Sequence, residues 1–224
     1  YNVALQGSFL NNRLQAGVNL FWHNTTNLLT RRELDYLSGL QTYWTNDGAL
    51  SNKGVEANIN AVLVNRKYWK WEFGVSMGHY NNKITQLPES DQMVLQKYDW
   101  NIGGYVRTGE VINGFTNSVY GDNNVLTAVS SPLGSFYGWQ TQVGKNGTIV
   151  FADEAEASSA TTASPDGYLK YNTNAGGMVN FKSGDVHFVD QNGDGVIDDN
   201  DKVVIGNPNP DLYGNIFTSL TWKD

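Results

Sequence analysis

Apolar and polar residues alternate along both ends of the chain. Val3, Leu5, Gly7 and Phe9 alternate with Asn2, Ala4, Gln6 and Ser8. Asn11-Asn12-Arg13 reads as a tight turn, after which Leu14, Ala16, Val18, Leu20 and Trp22 alternate with Gln15, Gly17, Asn19, Phe21 and His23. A period of two places alternate side chains on opposite faces of a strand, so residues 1–23 predict a β-hairpin. The pattern lapses over residues 24–52, which read as a longer polar connection. It returns with Val55, Ala57, Ile59, Ala61 and Leu63 set against Glu56, Asn58 and Asn60. A short turn at Asn65-Arg66-Lys67 leads to Trp69, Trp71, Phe73, Val75 and Met77, which alternate with Lys70, Glu72, Gly74, Ser76 and Gly78. A very long connection, about 81–211, separates these from the last alternating run. There Leu212, Gly214, Ile216, Thr218, Leu220 and Trp222 face away from Tyr213, Asn215, Phe217, Ser219, Thr221 and Lys223. The expected fold class is all-β, with about five long antiparallel strands.

Alternation sustained for about ten residues exceeds the usual strand of about five or six. It suits a tilted transmembrane strand of about 9–11 residues. The connections run short, long, short, very long, which predicts a transmembrane β-barrel with tight periplasmic turns and long extracellular loops. Trp22, Tyr68, Trp69 and Trp222 lie near strand ends, where an interfacial girdle would sit. The other reading is a soluble β-sandwich with these aromatics in its core; strand length and loop asymmetry favour the membrane. Five strands leave edges that hydrocarbon does not tolerate. The chain, which opens at Tyr1 within a strand pattern, is therefore expected to be a fragment of one longer barrel domain.

Composition narrows the field. There are 224 residues, no Cys and a net charge of −7. Much of the negative excess sits in one loop, at Asp190, Asp194, Asp198, Asp199 and Asp201. Basic residues are scattered, with Arg31-Arg32 and Arg66-Lys67 as isolated pairs, which excludes a nucleic-acid surface. Absence of Cys excludes disulfides and thiol chemistry. No run of 18 apolar residues predicts a transmembrane helix, and no signal-peptide pattern opens the chain.

The acidic loop carries calcium-type spacing. Asp190, Asn192 and Asp194 alternate and Gly195 follows, as at positions 1, 3, 5 and 6 of an EF-hand loop. Val196 falls where a backbone carbonyl ligates, Asp198 at position 9 and Asp201 at position 12. Asp at 12 is one methylene shorter than the usual Glu. Val203-Val204-Ile205 and then Pro208 predict a strand after the loop, where an EF-hand has a helix. The alternative is an Asp/Asn/Gly turn cluster without metal. Calcium (Ca2+) here would be structural, pinning a long loop while leaving the strands to stand alone. Candidate stacking platforms for a substrate are Phe136, Tyr137 and Trp139, and Tyr43 with Trp44; loop packing is the competing role. Residues 152–157 predict a short helix start, and the Ser/Thr/Ala/Gly-rich 158–177 a mobile stretch. His23, His79 and His187 lack metal-ligand spacing, no nucleophile elbow or phosphate loop appears, and the chain is expected not to be an enzyme.

Five blocks, in order, carry a resemblance. They are Thr26-Asn27-Leu28-Leu29 after Phe21-Trp22; Asn46-Asp47-Gly48 running to Asn52-Lys53-Gly54-Val55-Glu56; and Trp69-Lys70-Trp71 with Asn81-Asn82-Lys83-Ile84. The last two are Pro132-Leu133-Gly134-Ser135-Phe136-Tyr137-Gly138-Trp139, and Gly184-Asp185 with the acidic loop and Ile205-Gly206-Asn207-Pro208-Asn209-Pro210. Together they resemble the SusC/RagA-type TonB-dependent outer-membrane transporters. The resemblance implies a barrel of about 22 strands with a plugged lumen, outer-membrane lipids around it and a SusD-type surface lipoprotein as lid. It implies energy from the TonB complex through a plug that these residues do not include, and oligomeric substrates, mostly glycans and for some members peptides. The alternative function is a soluble, calcium-stabilised carbohydrate-binding β-domain of a surface adhesin, or an accessory domain of a hydrolase.

Overall fold

The alternating runs form one antiparallel sheet. Its strands are β1 (Asn2–Phe9), β2 (Leu14–Glu33), β3 (Thr42–Asn65), β4 (Trp69–Gln86) and β13 (Tyr213–Trp222), in the order β1-β2-β3-β4-β13. The computed structural model describes residues 1–33, 42–88, 92–118, 123–173 and 177–222; Lys223 of the last predicted strand lies outside them. The chain divides into two compact units. The first holds 1–88, 129–133 and 208–224, and the second 89–128 and 134–207.

In the first unit, register turns sequence alternation into two chemically distinct faces. Leu5, Val18, Ala57, Met77 and Gly214 lie side by side across the five strands, as do Gly7, Ala16, Ile59, Val75 and Ile216. On the opposite face run Gln6, Gly17, Asn58, Ser76 and Asn215, flanked by the row Ala4, Asn19, Glu56, Gly78 and Tyr213. The apolar face is open, with Leu5 at 79% and Ile216 at 72% exposure. On the polar face aromatic rings lie flat over glycines of the neighbouring strand. A Cβ at Gly74 would sit 2.1 Å from the Phe217 ring, one at Gly78 2.5 Å from Tyr213, and one at Gly54 2.4 Å from Phe21. These glycines are there because the cross-strand ring occupies their side-chain space.

Residues 24–52, expected as a connection, are mostly strand. Pairing continues through Thr25↔Leu50, Leu28↔Gly48 and Arg32↔Tyr43, and residues 34–41 lie outside the described part. Register shifts between Thr25 and Leu28 and between Leu28 and Thr30, with Asn27 at φ 57, break the period of two. Bulges of this kind re-aim side chains, and the polar β-branched Thr25, Thr26, Thr30 and Thr45 hold strand geometry without an apolar stripe. At about 3.3 Å per residue the 24-residue β3 is roughly 80 Å long, against an apolar barrel band of about 25 Å.

The connection about 81–211 is also more structured than a loop. β4 extends to Gln86, and the Ser130 N–H donates to the Ile84 carbonyl while the Ile84 N–H donates to the Ser131 carbonyl, which ties 129–133 to the first unit. The second unit has its own antiparallel sheet, β12-β8-β7-β6-β5, made of β5 (Gln92–Asp99), β6 (Gly104–Ser118), β7 (Asn123–Ala128), β8 (Ser135–Trp139) and β12 (Lys202–Gly206). A three-stranded sheet joins β10 (Met178–Asn180), β9 (Lys170–Asn172) and β11 (Val196–Ile197). The helix α1 (Glu154–Ala157) begins at the N-cap Asp153, whose side chain accepts from the Glu156 N–H, as a β-region capping residue does. The core gathers Phe151, Ala157, Leu169, Phe181 and Ile197, with Ala160, Tyr168 and Phe188 against it. Residues 158–177, expected to be mobile, contribute the buried Ser164, Leu169 and Lys170. Lys170 is fixed by Asp166 at 2.5 Å and Asn180 at 2.7 Å.

Candidate functional site

The acidic loop builds itself from local turn chemistry. The Asp190 carboxylate accepts from the N–H groups of Gly193 (2.7 Å), Asp194 (3.2 Å) and Gly195 (2.8 Å). Gly193 at φ 69 and Gly195 at φ 82 supply the left-handed conformations this wrap requires. Asn192 Oδ1 accepts from the Asp194 N–H at 3.0 Å, and Asp194 Oδ1 from the Val196 N–H at 2.8 Å. Asp198 caps a 3-10 turn over Asp199–Asp201 by accepting from the Asn200 N–H at 2.7 Å. Asp201 closes the loop, one oxygen taking the Gln191 N–H (2.9 Å) and the other the Asp198 N–H (2.8 Å).

Residues far away in sequence clasp this loop within the same unit. Trp100 Nε1 donates to the Asp194 carbonyl at 2.6 Å, and Trp139 Nε1 to the Asp198 carbonyl at 2.6 Å. The Tyr98 N–H donates to Asp194 Oδ2. Asn192 Nδ2 donates to the Gln96 carbonyl at 3.2 Å, and the Gln96 N–H to Asn200 Oδ1 at 2.9 Å. Tyr98 packs edge-on against Trp100 and Tyr105 at 4.9 and 5.2 Å. Sequence reasoning missed Gln96, Tyr98 and Trp100; a dense aromatic stretch after an acid was the only trace of them.

Burial sets the electrostatics. Asp201 is 0% and Asp194 1% exposed. Burial first, then the neighbouring charges of Asp190 and Asp198, push the Asp201 carboxyl up to about 7, against the opposing pull of its N–H donors. Asp194 is raised for the same first reason. No ion pair among the described residues includes either; Lys202 pairs with the exposed Asp199 at 2.9 Å. The available donors are all hard oxygens, the ligand type that calcium takes, and burial favours the neutral form of both carboxyls. The arrangement is not a ready cage, because among the described residues no three His, Asp or Glu side chains converge as a metal-holding group.

The stacking candidates are dispersed. Tyr137 is 6% exposed and Phe136, at 41%, points to the other face of β8. Trp139 lies under Lys202 Nζ, 4.4 Å from its ring centre, with Phe188 at 6.2 Å. Tyr43 and Trp44 are successive on β3 and so face opposite ways; Trp44 is 69% exposed.

His187 is a buried base of the second unit. Its ring stacks on Phe151 at 4.1 Å, Nε2 bonds the Gln142 amide, and Nδ1 is buried without a hydrogen-bond partner among the described residues. Burial lowers its pKa, partly offset by the charge of Glu156. The folded state therefore holds fewer protons than the unfolded chain below about pH 6.5, and stability falls as pH drops through that value. In hydrogen exchange from pH 7.5 to 5.5, amides of residues 149–151 and 186–188 will lose protection. In His187→Phe that acid loss will shrink, leaving only a pH-independent offset from the stranded Gln142 amide.

Comparison with known proteins aligns the whole chain with part of several TonB-dependent receptors. It is 26% identical over 223 residues to TonB-dependent receptor P26 of Formosa agariphila, covering 100% of this chain and 18% of that protein. It is 24% identical over 225 residues to the TonB-dependent receptor SusC of Bacteroides thetaiotaomicron, again 100% of this chain and 18% of the relative. Among solved structures, the RagAB peptide transporter superposes with a TM-score of 0.59 at 16% identity, covering 99% of this chain and 19% of that one. RagAB in its open-open state gives 0.57 at 16% identity, covering 99% and 18%. No family model matches. The chain thus spans less than a fifth of the length of these curated relatives. The resemblance to SusC- and RagA-type receptors holds along the whole chain, the fold is that of antiparallel barrel strands, and the matched proteins are named as receptors and transporters, not enzymes.

Proposed function

We propose that this chain supplies barrel strands and a large extracellular insert to a TonB-dependent outer-membrane receptor that imports an oligomeric nutrient. The observation that carries the reading is the first unit's sheet, with uninterrupted apolar rows on one face and amide-rich rows on the other. Side chains that alternate apolar-out and polar-in are what a lipid-embedded barrel wall needs, and a contiguous exposed apolar face of this extent marks a contact surface. The unpaired edges of β1 and β13 require neighbouring strands in a membrane. The names of the aligned relatives support TonB coupling through a plug. The SusC likeness supports a glycan substrate and a SusD-type lipoprotein lid; the RagAB likeness, a peptide transporter by name, supports peptides as the second reading. Structural calcium in the loop 190–201, held by Asp190, Asn192, Asp194, the Val196 carbonyl, Asp198 and Asp201, belongs to the same proposal.

Topology tests it. In the full-length protein, an epitope tag at the exposed Asn146-Gly147 turn will bind antibody on intact cells. Tags at Asn11-Asn12 and Arg66-Lys67 will bind only after the outer membrane is opened. Labelling of all three on intact cells, or recovery of the protein away from the outer membrane, defeats the reading. Uptake of labelled oligosaccharides and peptides by a deletion strain and its complement separates the two substrates.

A further inference from the structure

Between Asn19, Asn58 and Tyr213 the polar face of the first sheet holds one carboxylate, Glu56, in a wall of amides. Glu56 Oε1 accepts from the Tyr213 hydroxyl at 2.9 Å, and Oε2 from Asn19 Nδ2 at 3.1 Å. Two donors on two oxygens is how an ionised carboxylate is bonded, and each oxygen keeps further acceptor capacity. Around it a depression of about 670 Å³ is lined by Asn2, Gln6, Asn58, Ser76 and Asn215 among others. The same face carries Lys70, but Lys70 is paired with Glu72 at 2.6 Å. No described cation is paired with Glu56, so this stretch of wall is net negative.

We infer that Glu56, positioned by Tyr213 and Asn19, is a specificity-determining residue that disfavours anionic oligomers and favours uncharged, hydroxyl-rich ones. The inference rests on the proposed barrel, in which this face lines the lumen. The amides both donate and accept, as hydroxyl groups do, so they make no demand for charge. Glu56 adds free acceptor sites for a diol and repels carboxylates and sulfates. At roughly 6 Å and a dielectric between protein and water, that repulsion amounts to about tenfold in local anion concentration.

The chain contains no cysteine, which gives a direct assay in the full-length receptor with any cysteine elsewhere replaced by Ser. Ser76→Cys places a thiol on the face, one strand over and diagonal to Glu56, since Ser76 pairs with Asn58 and Gly78 with Glu56. Its thiolate attacks a methanethiosulfonate reagent, forming a mixed disulfide and releasing methanesulfinate. The rates with a cationic and an anionic reagent are compared on cells with opened outer membranes. With Glu56 present the cationic reagent will react faster, and adding Glu56→Gln will lower the cation-to-anion rate ratio about a hundredfold, about tenfold from each reagent. An unchanged ratio overturns the role of Glu56. A thiol that reacts with neither reagent until the protein is unfolded shows instead that the face is not water-lined, which overturns the inference, while the barrel reading stands or falls on the topology tags. Tyr213→Phe is the positioning control: it removes one donor, keeps the charge, and will leave most of the ratio intact.

Discussion

Asp201→Ala will unlatch the acidic loop and leave the first sheet standing. The substitution strands the N–H groups of Gln191 and Asp198, each now bonded to one oxygen of a fully buried carboxyl. A fully buried unsatisfied donor costs about 1–3 kcal/mol; Gln191 is exposed and Asp198 half-buried, so water recovers part of that and the total loss amounts to roughly 1–3 kcal/mol. Hydrogen exchange will show protection lost across 190–201 and at Tyr98, whose N–H is held by Asp194. The β1–β4 ladder will keep its protection. Asp201→Asn retains one acceptor and will lose about half as much. If Asp201→Ala exchanges like wild type at those amides, the latch is not what orders the loop.

Chelation of calcium in the full-length receptor will loosen residues near 185–210 and spare the strands. The proposed ligands are already shaped by hydrogen bonds within the loop, so the metal adds stability without creating the fold. At a free concentration a hundredfold above its dissociation constant, one ion stabilises the bound state by about 2.7 kcal/mol. EGTA will remove that protection and added calcium will restore it. Magnesium at equal concentration will not, because it demands a tighter octahedral shell of oxygens and gives up its own waters reluctantly. Protection that is indifferent to EGTA shows that the loop stands on its N–H contacts alone, and the metal-free turn reading replaces calcium. Disordering of β1–β4 by EGTA sinks the idea that the ion's role is local.

These outcomes follow the line between what the residues announced and what they hid. The sheet of the first unit was legible because its strands keep apolar residues on one face and polar ones on the other, a period of two sustained over about ten residues. Its upper halves were not legible, since two register shifts near Thr25 and Thr30 scramble that period and threonines replace the aliphatic rows. The second unit was hidden for another reason. Its elements are short, from the two residues of β11 to the fifteen of β6, and its core residues, such as Phe151, Leu169 and Phe181, are spread among turns with no regular spacing. The acidic loop was readable because the bonds of Asp190, Asn192 and Asp198 to backbone N–H groups all lie within five residues. Its clasp was not, because Trp100 and Tyr98 reach it from about a hundred residues away and nothing local requires them. Likewise Phe136, Tyr137 and Trp139 read as one aromatic patch in sequence, and a strand deals them to two faces.

The ladder between β4 and β13, from Trp69↔Trp222 to Gly78↔Tyr213, has a consequence for how the molecule assembles. β1 with β2, and β3 with β4, are near neighbours along the chain and can zip early. β13 must find β4 across roughly 130 intervening residues, a closure that costs about 4 kcal/mol in chain entropy if that length is loose. Because the insert has a core of its own, it can fold without waiting for the sheet. Until it does, β4 keeps an exposed, apolar-faced edge, the kind of surface that recruits other chains. The kinetic weak point of this sheet is therefore the insert that interrupts it, and a defect there will show first as aggregation during biogenesis.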